Sequence, residues 1–147
     1  MFFPTNIKPR FIGDYLMTHT SYVEVRSYEL DSYNHVNNAV YLNYLEHARM
    51  EFLRAIGFDY VGLFDEGYML YVSRIDIKYK YSAKLYERLS IECTPLKLGK
   101  LSGSFSQVIK NEQGIVCVEA EVTWACVDKN GKPSKVPEKY LVEGMKP

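Results

Sequence analysis

The residues best placed to do chemistry lie in one polar stretch, Asp31-Ser32-Tyr33-Asn34-His35-Val36-Asn37-Asn38, between a strand-like and a helix-like segment. It sets one carboxylate, Asp31, just before a helix start, where the first backbone N–H groups have no intrahelical acceptors and attract developing negative charge. A carboxylate and free amide donors in one short loop are the minimum equipment for acyl transfer. The acid activates water or attacks directly, and the amides polarise a carbonyl and hold its oxyanion. The competing reading is plain: Asp31 and Asn37 are turn and cap residues whose side chains bond nearby backbone. Spacing alone favours that plainer reading.

Other candidates carry weaker signals. His35 reads first as a loop hydrogen-bonder and second as a substrate contact. Glu46 and Arg49 read as a structural ion pair or as interface contacts, and Lys97 and Lys100 as ordinary hairpin lysines. Cys93, Cys117 and Cys126 are an odd number without C-x-x-C spacing, the usage of reduced, buried thiols in a cytoplasmic protein. They and His19, His35 and His47 contain no pair at metal-ligand spacing, so no metal site is expected.

The elements that must position this loop follow from periodicity. Over Ser21–Glu29, Val23 and Val25 alternate with Glu24 and Arg26, a strand pattern. From Ala39 to Ile56 the apolar residues Tyr41, Tyr44, Leu45, Ala48, Phe52, Leu53 and Ile56 recur every three or four positions, one face of a helix. Asn37 or Asn38 can cap its start, and Gly57 suits a left-handed residue at its end. A short helical piece is expected around Asp59–Asp65. The remainder reads as strands: Tyr68–Tyr81, a run through Leu89, Ile91 and Cys93, then Leu101–Lys110 after a hairpin at Leu96–Lys100. Val116–Cys126 has the clearest alternation in the chain, with one face apolar throughout. Pro133 and Pro137 argue for an extended tail. Strands run beside one long helix, so the expected class is α+β, an antiparallel sheet carrying the helix on its apolar face.

Length and composition set the outer bounds. A chain of 147 residues favours one domain, spanning 1–147 with an irregular lead-in over 1–20 and a tail over 138–147. It buries roughly 70% of the surface its unfolded form exposes, enough for a real core. Eighteen Lys and Arg balance eighteen Asp and Glu, so the net basic footprint of a nucleic-acid binder is missing. No stretch approaches the roughly 18 uninterrupted apolar residues of a membrane span, and the amino terminus lacks a secretory pattern.

The run Asp31-Ser-Tyr-Asn-His35-Val-Asn37-Asn38-Ala-Val-Tyr41-Leu-Asn-Tyr44-Leu-Glu46-His-Ala48-Arg49 resembles the loop and central helix of hotdog-fold acyl-CoA thioesterases. The likeness is to the 4-hydroxybenzoyl-CoA thioesterase type and its fatty-acyl-CoA relatives, and a similar run occurs in plant acyl-carrier-protein thioesterases. Tyr79-Lys-Tyr-Ser-Ala83, Glu87-Arg-Leu89, Leu98-Gly-Lys-Leu-Ser102 and the Val127–Pro137 segment extend it from about Ser21 to Glu138.

The resemblance implies a five-stranded antiparallel sheet wrapped around one long central helix, and hydrolysis of an acyl-CoA to free acid and coenzyme A. Asp31 matches the catalytic acid, as general base or nucleophile, and Asn38 the position whose backbone amide polarises the thioester carbonyl. His35, Asn37 and Tyr41 are expected to shape the substrate site, and Lys97 and Lys100 to meet the phosphates of coenzyme A. Two positions depart from the pattern: Tyr33 stands where the plant enzymes carry an Asn, and Ser82 where many members have Pro. No metal or redox cofactor is implied. A homo-oligomer, dimer or tetramer, is expected, with the site between protomers. The alternatives are a hotdog hydratase or dehydratase using His35 with Asp31 or Glu46, and a non-catalytic acyl-CoA-binding protein.

Overall fold

The strongest helix signal in the sequence becomes the central element of the computed structural model, which describes residues 17–147. Helix α1 (Asn38–Ala55) buries Tyr41, Tyr44, Leu45, Ala48, Phe52 and Leu53, the stripe set by 3–4 spacing. Asn37 caps it by accepting a hydrogen bond from Ala39 N at 2.9 Å, and Gly57 follows its end at φ 75°. Asp59 caps a second short helix, α2 (Tyr60–Asp65), by accepting from Gly62 N.

The strands are β1 (His19–Glu24), β2 (Met69–Tyr79), β3 (Arg88–Leu98), β4 (Ser102–Lys110) and β5 (Val116–Val127). They form one antiparallel sheet in the order β1-β3-β4-β5-β2, with β1 and β2 at its edges. This is the expected five-stranded hotdog arrangement. Along β5, Val118, Ala120, Val122, Trp124 and Cys126 are buried, and Glu119 and Glu121 sit on the outer face in pairs with Lys80 and Lys97. At Gly103 in β4 a Cβ would come within 2.5 Å of the Trp124 ring and 2.6 Å of Lys97 O, so only glycine lets these strands close up here.

The core falls into two clusters along α1. Under its amino half, Tyr41, Tyr44, Leu45 and Ala48 pack with Leu89, Ile91, Ile109, Val118 and Val122. Under its carboxyl half, Phe52 and Leu53 pack with Leu63, Phe105, Trp124 and Cys126. Gln107, fully buried, donates to Leu45 O at 2.9 Å and accepts from the Arg49 guanidinium at 3.0 Å. The hydrogen bond of Arg49 therefore goes to the sheet beneath the helix, whereas Glu46 is exposed on the helix surface.

Two sequence readings change. The first strand begins at His19 and ends at Glu24, and Ser27–Glu29 turn instead as a 3₁₀ helix. Of the lead-in assigned to 1–20, residues 1–16 lie outside the described residues. The tail is not extended: Glu138–Tyr140 and Glu143–Met145 are 3₁₀ turns that bury Tyr140 and Met145 in the second cluster. Apolar area that the core can still cover outweighs the extended preference set by the prolines.

Candidate active site

The polar stretch folds as a loop whose own side chains supply the bonds that secure it. Asp31 Oδ1 accepts from Tyr33 N at 2.8 Å and from His35 N at 3.2 Å. Asp31 N donates to His35 O at 2.7 Å, and Asn34, at φ 61°, completes the turn by donating to Asp31 O. Asn and Asp tolerate such left-handed and self-bonded conformations, which is why the sequence runs through them here. The loop leaves as Leu30 and returns as Val36, and these two pair as a short antiparallel bridge.

The loop is also sewn to the segment after β2. Val36 N donates to Ala83 O at 2.9 Å, His35 bridges Lys84, and Ala83 N donates to the Tyr41 hydroxyl at 3.0 Å. The Tyr79 hydroxyl donates to Asn38 O at 2.9 Å, so the end of β2 grips the start of α1. The rings of Tyr41 and Tyr79 lie 5.7 Å apart. These contacts leave an open cleft of about 560 Å³ whose walls include Asp31, His35, Asn38, Tyr41, Tyr79 and Lys84. Asn38 is the first helical residue, so its N–H has no acceptor within the helix.

Four of the seven site residues expected from the sequence meet at this cleft: Asp31, Asn38, His35 and Tyr41. Asn37 works as the helix cap. Lys97 and Lys100 lie elsewhere, Lys97 near the end of β3, where it pairs with Glu121 at 3.3 Å, and Lys100 in the turn to β4. Tyr79, Tyr81 and Lys84 line the cleft without having been singled out as site residues, although Tyr79–Ala83 belongs to the resemblance. Nothing local marks Tyr79, because its partner is 41 residues away.

The thiols are unsuited to nucleophilic work. All three are buried, and burial pushes the Cys93 thiol up to about 12 and the Cys117 thiol to about 11, so both stay protonated near neutrality. Among the described residues no group of three or more His, Cys, Asp or Glu side chains is arranged to hold a metal ion.

A five-stranded antiparallel sheet around one long helix is the hotdog fold. The chain belongs to the thioesterase-like superfamily, whose family model matches residues 25–143, and by class it is a thioester hydrolase. It is 38% identical over 125 residues to the long-chain acyl-CoA thioesterase FadM of Escherichia coli K12, covering 84% of this chain and 93% of that protein. The acyl-CoA thioester hydrolase YbgC of E. coli O6:H1 is 30% identical over 122 residues, covering 82% of this chain and 91% of its own length. Among solved structures, the probable thioesterase YbaW of E. coli superposes with a TM-score of 0.69 at 34% identity, over 79% of this chain and 88% of that one. The DHNA-CoA thioesterase of Staphylococcus aureus, at 22% identity, matches in fold with a TM-score of 0.79 over 84% and 83% of the two chains. Among the described residues no helix is long and apolar enough to cross a membrane.

Proposed function

We propose that the chain hydrolyses an acyl-CoA thioester to free acid and coenzyme A, with Asp31 as general base or nucleophile and Asn38 N–H as the carbonyl donor. The observation that carries this reading is the meeting of the Asp31 carboxylate and Asn38, the first residue of α1, in one cleft. Both backbone contacts of Asp31 use Oδ1, which leaves Oδ2 to work on substrate or water.

In the general-base route, Asp31 takes a proton from water as the water oxygen bonds to the thioester carbon. The charge moves to the carbonyl oxygen, where the Asn38 amide and the helix dipole stabilise it. Collapse breaks the C–S bond, and the proton passes to the departing thiolate. In the nucleophilic route, the carboxylate itself bonds to that carbon, coenzyme A leaves, and water then cleaves the mixed anhydride. Neither route calls for a metal or redox cofactor. His35 and Tyr41 shape the cleft, and the acyl-CoA names of FadM and YbgC, each covered over nine-tenths of its length, support coenzyme A as the carrier. The balanced charge and reduced thiols fit an enzyme of the cytoplasm that engages no nucleic acid.

The working form in this reading is a homo-oligomer, at least a dimer and, in the larger form, a tetramer. Strand β2 presents an open edge of 11 residues with Tyr71 and Val72 exposed, and α1 exposes Leu42 and Met50. A long open edge invites pairing with a second copy, which sets the two helices side by side and the clefts between protomers. Light scattering after size exclusion checks this; a fully active 17.1 kDa monomer defeats it.

Release of free thiol across a panel of acyl-CoAs, with hydration of 2-enoyl-CoA and binding of coenzyme A measured beside it, tests the function. Hydrolysis is expected. Hydration without hydrolysis would point to His35 chemistry, and binding without turnover to a carrier protein.

A further inference from the structure

Behind the cleft, on the far side of the loop, a charged group is almost fully removed from water. Glu29 is 5% exposed, and Tyr44, on the second turn of α1, is 2% exposed. A buried carboxylate is expensive unless its lone pairs are taken up. Here four donors take them up. Arg26 gives Nε to Oε1 at 3.0 Å, Nη2 to Oε2 at 2.9 Å, and its backbone N to Oε1 at 2.8 Å; the Tyr44 hydroxyl gives a fourth, to Oε1 at 3.0 Å. The main chain of the same residue closes the loop: Asn37 N donates to Glu29 O at 2.9 Å.

One residue thus holds both ends of the loop that carries the chemistry. Its side chain ties the 3₁₀ turn that enters the loop to α1 through Tyr44, and its carbonyl ties the loop exit, Asn37, back to the entry. Asp31 stands two residues after this clamp, and Asn38 one residue after its other end. Their separation is set by the backbone between two points that Glu29 fixes.

We infer that Glu29 is a positioning residue for the hydrolysis, setting the Asp31 carboxylate against the Asn38 amide through its bonds to Arg26, Tyr44 and Asn37. This rests on the hydrolase reading above and adds a residue that makes no contact with substrate. Misplacing a reacting group by about 1 Å costs on the order of 10²-fold in rate, which is the scale at which such a clamp matters. The cluster also explains why the Glu29 carboxyl stays below the ordinary carboxylate range despite its burial: the Arg26 and Tyr44 hydrogen bonds favour the charged form.

The test compares wild type with Glu29→Gln, Tyr44→Phe, Asp31→Asn and the Glu29→Gln/Asp31→Asn double variant, on whichever acyl-CoA the enzyme hydrolyses best. Glu29→Gln keeps the side chain's size and should lower kcat about 10- to 100-fold with KM within about twofold, the signature of a contact that matters only in the transition state. Because Glu29 acts through Asp31, the double variant should be no slower than Asp31→Asn alone. A Glu29→Gln enzyme with full kcat overturns the inference, as does a loss confined to KM. So does a double variant slowed by the product of the two single effects. Should Glu29→Gln fail to fold, Tyr44→Phe replaces it, removing one of the four bonds and costing about 3- to 10-fold in kcat with the same non-additivity. Normal turnover by Tyr44→Phe would then overturn the role. If Asp31→Asn itself turns over normally, the hydrolase mechanism fails and the clamp with it; if only the Glu29 and Tyr44 variants are normal, the clamp alone fails.

Discussion

The loop at 30–37 and the hairpin at 96–102 both join successive elements, and the resemblance implies that both meet substrate. They are built differently. The loop is held by its own Asx turn, by the segment after β2 at 83–84, by the Asn37 cap and by Glu29. The turn is held by ladder bonds and by Gly99 N to Ser102 O at 2.7 Å, and its lysines project into solvent, Lys97 72% exposed. The proposed function makes different demands on the two. Bond-making requires reacting atoms fixed to fractions of an ångström, so the loop is over-determined. Attraction between a lysine and a phosphate acts over the ~8–10 Å of the screening length and tolerates a mobile side chain. In the proposed function the loop needs fixed atoms, whereas exposed lysine side chains on a hairpin suffice for electrostatic capture.

The largest expected effect lies at the reacting end of this contrast. Asp31→Asn retains an Oδ1 that can accept from Tyr33 and His35, so the loop should keep its shape while losing its base or nucleophile. The kcat is expected to fall roughly 10²–10⁴-fold, on the scale of a lost general base, with little change in melting temperature. Near-normal turnover by the folded variant removes Asp31 from its role.

Next in size is the holding structure itself. Tyr41→Phe deletes the acceptor of Ala83 N, and both residues are buried, so that donor would be left without its partner. The expected cost is about 1–3 kcal/mol of folding stability, read as a lower urea midpoint with an unchanged slope. A variant as stable as wild type would show that this seam between loop and strand is not under tension from solvent loss.

The smallest effect belongs to the turn. Replacing Lys97 and Lys100 together with Ala should raise KM more than it lowers kcat, by no more than about fivefold at low salt, since exposed ion pairs are worth about 0.2–1 kcal/mol. The effect should fade as salt rises. Unchanged KM at low salt would mark both as hairpin lysines, Lys97 serving only its pair with Glu121.

Much of this architecture was legible in the sequence because it is local. The stripe of Tyr41, Tyr44, Leu45, Ala48, Phe52 and Leu53, the alternation of β5, and the cap at Asn37 are each set by residues within a few positions of one another, where periodicity and capping rules operate. The same holds for Asp31 just ahead of the helix start. Other features depend on which distant segments come together. Glu29 read as one more polar residue of an alternating strand; its burial and its clamp on Tyr44 and Asn37 exist only once α1 folds back over the sheet. Tyr79 reaches Asn38 across 41 residues, and Gln107 reaches Leu45 across 62. The tail after Pro137 read as extended, yet Tyr140 and Met145 complete the cluster beneath the carboxyl half of α1. The sequence by itself therefore determined the elements, the Asp31 carboxylate in its loop and the helix start that follows it, because short-range sterics and hydrogen bonding dictate those. Tertiary structure decided which buried polar groups would find partners and how the loop from Leu30 to Asn37 is tied down, because desolvation and packing depend on neighbours that no local pattern names.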